Sequence, residues 1–267
     1  MNRQLLILDL SYFRAASTIA LEKLFNDYDV AVTEELLFEL LDMAVEERKL
    51  LHSKLRFLRS PSPFLPGVGH LLYLENYDRK PSAPLRQRAL NQNFEVNERL
   101  ADPGFQLPPE QHALFQAWRQ YQAQRTRGFL DDAACVTGWC PGLKGYVANT
   151  DATVIREYQK LAAENPDEVR RVYEAMHRES PTSMPPASLV DESWTHFRRL
   201  QVRLVAALEY LRVHGDGVVA NVDAKSINQW LDINHLVLGL LAGAIATGDK
   251  FIQTTFKLLR PDGILVS

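Results

Sequence analysis

Four acidic residues lie in apolar sequence surroundings, and they are the residues of this chain that could do chemistry. Asp9 ends the apolar run Leu5–Leu8, Glu39 lies within an apolar helix face, Asp232 follows a Trp-Leu pair, and Asp249 follows a short apolar segment. Carboxylates drawn together repel one another and need a compensating cation, and oxygen ligands favour Mg²⁺ or Mn²⁺. Such an ion could activate water against a phosphodiester. Taken singly, each acid is also explained as a helix cap or a solvated residue.

The sequence around these acids predicts alternating strands and helices at both ends of the chain. Leu5–Leu8 is uniformly apolar, which favours a strand buried on both faces, as in a parallel sheet. In the N-terminal part the predicted strands and helices alternate over residues 5–8, 11–26, 30–32 and 33–51. In the C-terminal part helices and strands alternate again, over residues 193–214, 218–222, 228–241, 244–247, a helix from 249, and 263–266. This alternation predicts an α/β fold with a central parallel sheet flanked by helices.

The middle of the chain has a different character. Proline-rich breaks at 60–66 and 181–186 bound it, and its clearest helices are predicted over 111–127 and 152–177. We therefore expect residues 1–55 and 195–267 to form one core, and residues 56–194 to form a mainly helical insertion.

Two of the acids are expected at the same edge of the sheet. Functional groups of parallel α/β sheets collect at the carboxyl ends of the strands. Asp9 and Asp249 each follow a predicted strand, so the fold would bring their side chains towards each other.

Short motifs in the two outer segments resemble those of the PIN-domain family. The sequence Leu-Asp-Leu-Ser at 8–11 resembles the family's opening Asp-x-Ser motif, and Val-Thr at 32–33 with Phe-Glu-Leu at 38–40 resembles its strand end and Glu-Leu helix. Residues 228–232 and Ala-Thr-Gly-Asp-Lys at 246–250 resemble its C-terminal acids. The resemblance covers about 1–55 and 195–267, and the middle does not match.

The resemblance implies a PIN-like fold and a Mg²⁺- or Mn²⁺-dependent nuclease. It implies that the metal ligands and catalytic residues are Asp9, Glu39, Asp232 and Asp249. It also implies that side chains behind them support these ligands, namely Ser11, Thr247 and Asn228. Asn228 stands where relatives often have an acid, which would weaken a second metal site.

We therefore predict a metal-dependent endoribonuclease that hydrolyses phosphodiester bonds of single-stranded or structured RNA. Two alternatives stay open: a catalytically inactive PIN-like binding module that meets a protein partner through the helical insertion, and a nuclease acting on DNA.

Three further side-chain groups have both an ordinary and a functional interpretation. His235 could orient a carboxylate or be a buried histidine with a backbone partner.

Two arginine groups could contact nucleic acid. Tryptophan, tyrosine and phenylalanine accompany the arginines of the first group, which suits single-stranded nucleic acid but also a solvated amphipathic helix. This group comprises Arg119, Arg125, Arg127, Trp118, Tyr121 and Phe129. We expect it to border the acidic cleft. The second group could follow a phosphate track or cover apolar surface, and comprises Arg198, Arg199 and Arg203.

Composition limits the function classes further. Of the 267 residues 46% are hydrophobic, and the net charge is −3. This charge argues against a protein held on nucleic acid mainly by its overall field, but not against a nuclease with an acidic site. Cys135 and Cys140 are too few for a disulfide-stapled domain or a zinc site. No apolar run reaches about 18 residues, so we expect a cytoplasmic protein without a membrane partner.

Overall fold

The apolar N-terminal run forms the centre of the sheet. A computed structural model of the chain describes residues 3–58, 62–88, 90–94, 102, 105–179 and 184–267. Its strands are β1 Leu5–Leu8, β2 Asp29–Thr33, β3 Ser62–Leu65, β4 Leu90–Phe94, β5 Ala244–Ala246 and β6 Ile264–Val266. They form one sheet in the order β4-β3-β2-β1-β5-β6. Neighbours from β3 to β6 are parallel, and β4 pairs antiparallel with β3.

Helices cover both faces of this sheet. They are α1 Leu10–Ala15, α2 Thr18–Asp27, α3 Glu34–Asp42, α4 Val45–Leu50, α5 His52–Leu55, α6 Val68–Asp78, α7 Pro109–Ala134, α8 Ala152–Glu164, α9 Pro166–Glu179, α10 Thr195–His214, α11 Ala224–Ala242 and α12 Lys250–Leu259. Successive side chains of a strand point to opposite faces. Accordingly Leu5 and Ile7 belong to one hydrophobic core, whereas Leu6 and Leu8 belong to the other. The predicted α/β fold with a central parallel sheet between helices is confirmed.

The two ends of the chain meet in the middle of the sheet. Leu6 of β1 is in register with Val30 of β2, and on the other side Ile7 is in register with Ile245 of β5. The N-terminal and C-terminal segments therefore share one sheet and its two cores, as the alternation at both ends predicted.

The sheet extends further than expected on one side. Strands β3 and β4 lie within 56–194, the segment that we expected to be a helical insertion. The prolines of 60–66 indicated a break, but residues 62–65 pair with β2, and the pairing of β3 with β4 is irregular between Ser62 and Phe64. Pro63 lies at that irregularity, where a proline in a strand is tolerated. The rest of this segment is largely helical where described, and the expected break at 181–186 lies partly outside the described residues.

Four local predictions were wrong. Residues 218–222 are not a strand: they form no ladder, and Val218 and Val219 are each 46% exposed. The helix expected over 152–177 is two helices, because the chain leaves helical geometry at Asn165 and Pro166 opens α9. The helices expected over 11–26 and 33–51 are likewise broken into shorter ones. None of the described helices is both long enough and apolar enough to cross a bilayer.

Candidate functional site

The candidate site lies where the direction of the sheet reverses. From β1 the chain continues to β2 on one side, whereas from β5 it continues to β6 on the other, and β1 and β5 are neighbours. Crevices for ligands in open α/β sheets form outside the carboxyl ends of strands at such a point. Asp9 directly follows β1, and Thr247 directly follows β5, so both lie at this crevice.

Asp9 is buried and held by two hydroxyl groups. It is 1% exposed, and its Oδ2 accepts hydrogen bonds from Ser11 Oγ and from Thr247 Oγ1, the latter at 2.6 Å. Ser11 Oγ in turn accepts a bond of 2.9 Å from the backbone N–H of Gly248. Ser11 and Thr247 thus contact the carboxylate that they were predicted to support, and they fix its orientation.

Glu39 reaches the same place from α3 and meets His235 of α11. Glu39 Oε2 lies 2.9 Å from His235 Nε2. One ligand atom each from Asp9, Glu39 and His235 lie within 4.8 Å of one another. His235 is fully buried, and its Nδ1 has no hydrogen-bond partner among the described residues. Of the two interpretations of this histidine, the structure has the one in which its partner is a carboxylate and not the backbone.

Asp232 and Asp249 lie beside this compact set but do not belong to it. Burial, followed by repulsion from Asp9 and Asp249, raises the pKa of Asp232 to about 8. Asp249 is the N-cap of α12, with its Oδ1 accepting a bond of 2.9 Å from the N–H of Ile252. Asn228, one turn before Asp232, is exposed. The structure thus brings two of the four predicted acids into direct contact range and leaves two within electrostatic range.

The negative charge of the site is partly balanced by His235. Burial by itself lowers the pKa of this histidine, but the charge of Glu39 and its hydrogen bond, with Asp9 and Glu35 further away, outweigh burial and raise the pKa to about 10. Because folded His235 holds its proton more tightly than a free histidine, the imidazolium and Glu39 form an ion pair at neutral pH. A cation that entered the site would compete with this proton.

The donor set of the site suits a divalent ion. Two carboxylates supply hard oxygen ligands, which Mg²⁺ and Mn²⁺ prefer. A neutral imidazole would supply a nitrogen, which Mn²⁺ and the later transition metals accept more readily than Mg²⁺ does. The Nδ1 atom of His235 is also buried and has no hydrogen-bond partner among the described residues. These residues could therefore hold one ion, and Asp232 lies close enough to respond to its charge.

The two arginine groups are only partly directed towards this site. Arg119 and Arg127 form exposed ion pairs with Asp42 and Asp131. Arg125 and Arg199 instead line a cavity, and Glu35 and Asn234 line it too. Glu35 is on the same helix as Glu39, and Asn234 directly precedes His235, so the cavity lies near the acidic site.

Other members of these groups have structural partners. Arg203 pairs with Asp132, and Arg198 donates to the backbone oxygen of Glu192 and to Gln201.

No protein-family model, no curated protein and no solved structure matches this chain. The chemistry of the site therefore follows from its own residues.

Proposed function

We propose that the protein is a Mg²⁺- or Mn²⁺-dependent endoribonuclease with a PIN-like fold, in which much of 56–194 adds helices around the core. The observation that carries the proposal is the convergence of Asp9, Glu39 and His235 at the reversal point of a parallel sheet. A buried cluster of carboxylates at that edge needs a cation, and the motifs that resemble the PIN family lie on the elements that form it.

Each residue of the site has a role in this proposal. Asp9 and Glu39 would bind the ion, which when present supplies Lewis-acid activation of water and neutralises charge on the phosphodiester. Ser11 and Thr247 hold the Asp9 carboxylate in one orientation, so that ligand geometry does not depend on the substrate. His235 orients Glu39 and keeps the acids together when the ion is absent. Asp249 adds negative field that strengthens cation binding, and Asp232, whose pKa is raised to about 8, adds its charge only when its proton leaves.

The test compares cleavage of labelled RNA and of DNA of the same sequence, with Mn²⁺, with Mg²⁺ and with chelator. Asp9→Asn preserves the size of the side chain and removes a ligand charge, and Asp167→Asn is the matched control at an exposed position of α9. We expect the wild type and the control to cleave RNA with Mn²⁺, and Asp9→Asn to lose more than the roughly 10- to 100-fold that loss of a supporting partner costs. Cleavage that persists in chelator, or in Asp9→Asn, would refute the proposal. Faster cleavage of DNA would assign the other substrate.

One observation favours a second candidate, a PIN-like module that binds RNA without cleaving it. Glu39 already has a cationic partner in His235, and two of the four acids lie outside the compact set. Such a module would bind RNA equally well with Mn²⁺ and with chelator. It would also melt at the same temperature in both, whereas a bound ion raises the melting temperature.

A further inference from the structure

A cavity of about 300 Å³ lies beside the acidic site at the same edge of the sheet. We call it the arginine pocket, and we define it by Arg125, Arg199, Gln122, Tyr121, Glu35 and Trp230. Glu35 follows β2, the neighbour of β1, and is one helical turn from Glu39 on α3. Trp230 lies on α11, the helix that carries Asp232 and His235. The pocket and the acidic site are thus adjacent and share two helices.

Arg125 and Arg199 have no ion-pair partner among the described residues, although the carboxylates of Glu34 and Glu35 also line the pocket. Arg199 lies over the ring of Trp230, 5.3 Å from its centroid, and it forms no ion pair or hydrogen bond with the described residues. Burial, then the charges of Arg203 and Arg125, lower its pKa to about 9. Asp132 is committed to Arg203. Arg199 is partly buried, and a cation in such a position without an ion-pair partner is costly, so an anion bound here would be stabilised.

The pocket also contains buried polar atoms without partners. Gln122 is 6% exposed, and its Oε1 has no hydrogen-bond partner among the described residues. Glu35 is 4% exposed and its Oε2 likewise has none there, although its Oε1 accepts a bond of 2.9 Å from the N–H of Val68. Buried polar groups are normally satisfied by protein, water or ligand. A pocket that combines unpaired arginines with unsatisfied acceptor oxygens suits a ligand that carries both an anion and hydroxyl or amino donors.

Aromatic side chains complete the lining. Arg125 lies 4.9 Å from the centroid of the Tyr121 ring and donates a bond of 2.7 Å to its hydroxyl. Trp118, which also lines the pocket, is stacked on Phe38 at 3.9 Å between centroids. Aromatic rings and arginine planes are surfaces on which bases stack. The volume is at the small end of the range for ligand sites, which corresponds to one nucleotide and not to a duplex.

We propose that the arginine pocket binds a single ribonucleotide unit of the substrate strand, with its phosphate between Arg125 and Arg199 and its hydroxyl donors towards Glu35. The inference rests on the proposed function for the identity of the strand. The arginine pocket would hold the RNA strand next to the bond that is cut. Nucleotide binding itself does not require the metal.

The test measures nucleotide binding in chelator, by calorimetry and by the fluorescence of Trp118 and Trp230. The probes are a ribonucleoside monophosphate, its 2′-deoxy form, the unphosphorylated nucleoside and inorganic phosphate. We expect the ribonucleotide to bind tightest. Arg199→Gln should weaken its binding by about tenfold or more, the equivalent of 1.4 kcal/mol. The control is Arg156→Gln, at an exposed position of α8, and it should bind as the wild type does.

Arg125→Gln is the second variant, because Arg125 is exposed and its replacement leaves the core unchanged. Unchanged affinity in Arg125→Gln and in folded Arg199→Gln would overturn the assignment, as would equal affinity for inorganic phosphate or for the deoxynucleotide. The metal site is tested separately, since Asp9→Asn should bind the ribonucleotide normally. If the wild type binds it but never cleaves RNA, the proposed function fails and the pocket assignment stands.

Discussion

At the scale of single residues, the acidic site joins two turns that are far apart in sequence. Ser11, near the start of α1 after β1, accepts a bond from the N–H of Gly248, which follows β5. Thr247 Oγ1 accepts a bond of 3.0 Å from the N–H of Asp249 while it donates to Asp9. The hydroxyls therefore have fixed donor and acceptor roles, and the Asp9 carboxylate has little rotational freedom. Such preorganisation is what a ligand of a metal ion requires.

Two substitutions of Asp249 can separate its structural role from its electrostatic role. Its Oδ1 caps α12 through Ile252, and its charge is one cause of the raised pKa of Asp232. Asn caps helices about as well as Asp, whereas Ala costs about 0.5–2 kcal/mol. We expect Asp249→Asn to keep the free energy of unfolding and to weaken Mn²⁺ binding, and Asp249→Ala to lose both.

Urea unfolding and Mn²⁺ titration of the two variants give these quantities. Equal Mn²⁺ affinity in wild type and Asp249→Asn would mean that Asp249 is a helix cap without influence on the site.

The residues of the site differ in how far the sequence predicts them. The place of Asp9 could be predicted from the sequence pattern, because it follows an apolar run that must be a strand and because strand ends meet at one edge. Ser11 and Thr247 were indicated only by the motifs that resemble the PIN family. His235 could not be assigned its role. Its partner Glu39 is 196 positions away, and the helical pattern around His235 indicates burial without indicating what lies opposite. Its spacing of one turn from Asp232 was the available signal.

At the scale of elements, uniform apolar runs and helix caps were the reliable signals. Leu5–Leu8 is buried throughout, and Thr33, a residue type that favours helix N-caps, accepts a hydrogen bond from the N–H of Leu36 at the start of α3. Residues 218–222 have strand composition, yet they pair with no described strand and Val218 and Val219 are each 46% exposed, so composition alone is misleading. Strand β3 was not predicted, because Pro63 indicated a break in the chain. Pairing with β2 nevertheless holds this segment in the sheet.

The start of α10 depends on a carboxylate from another helix. Glu75 of α6 is fully buried, and its two oxygens accept from the N–H groups of Ser82, Thr195 and His196, two of them at 3.0 Å. The first N–H groups of a helix have no partner within it. Glu75 therefore caps α10 and fixes α6 against it.

Replacing this carboxylate should cost stability without touching the acidic site. Glu75→Gln turns an NH₂ group towards at least one N–H donor, which leaves a buried donor unpaired at a cost of about 1–3 kcal/mol. Urea denaturation measures the loss, with the exposed Glu22→Gln as control. A free energy of unfolding equal to that of the control would show that water replaces the carboxylate.

At the scale of the whole molecule, the net charge of −3 conceals two opposite local fields. The acids converge where β1 and β5 end, and Arg125 and Arg199 line a pocket that residues following β2 and β3 also line, along the same edge of one sheet. The parallel topology places them side by side, because the five parallel strands β3, β2, β1, β5 and β6 all end at that edge. A strand of RNA could thus be attracted by one field while an ion occupies the other.

The acidic field should make the stability of the metal-free protein fall as pH rises. Folded Asp232 keeps its proton up to a pKa of about 8, whereas an unfolded aspartate releases it near 3.8. Folded His235 likewise keeps its proton up to about 10, against 6.5 for the unfolded chain. Both groups are fully protonated in both states at low pH, so their stabilisation is complete there. Between about pH 4 and about pH 10 the folded state binds more protons than the unfolded state, and the free energy of unfolding declines.

A divalent ion should reverse this decline, because its ligands bind only when deprotonated and its affinity therefore grows with pH. Mn²⁺ at 100 times its dissociation constant would add about 2.7 kcal/mol. We expect urea unfolding from about pH 5 to about pH 9 to show a falling stability in chelator and a flatter profile with Mn²⁺. Asp232→Asn removes one titrating group, so its profile in chelator should be flatter than that of the wild type, while Asp167→Asn should match the wild type. Identical profiles with and without Mn²⁺ would mean that the acids are balanced by His235 alone and that no ion takes its place.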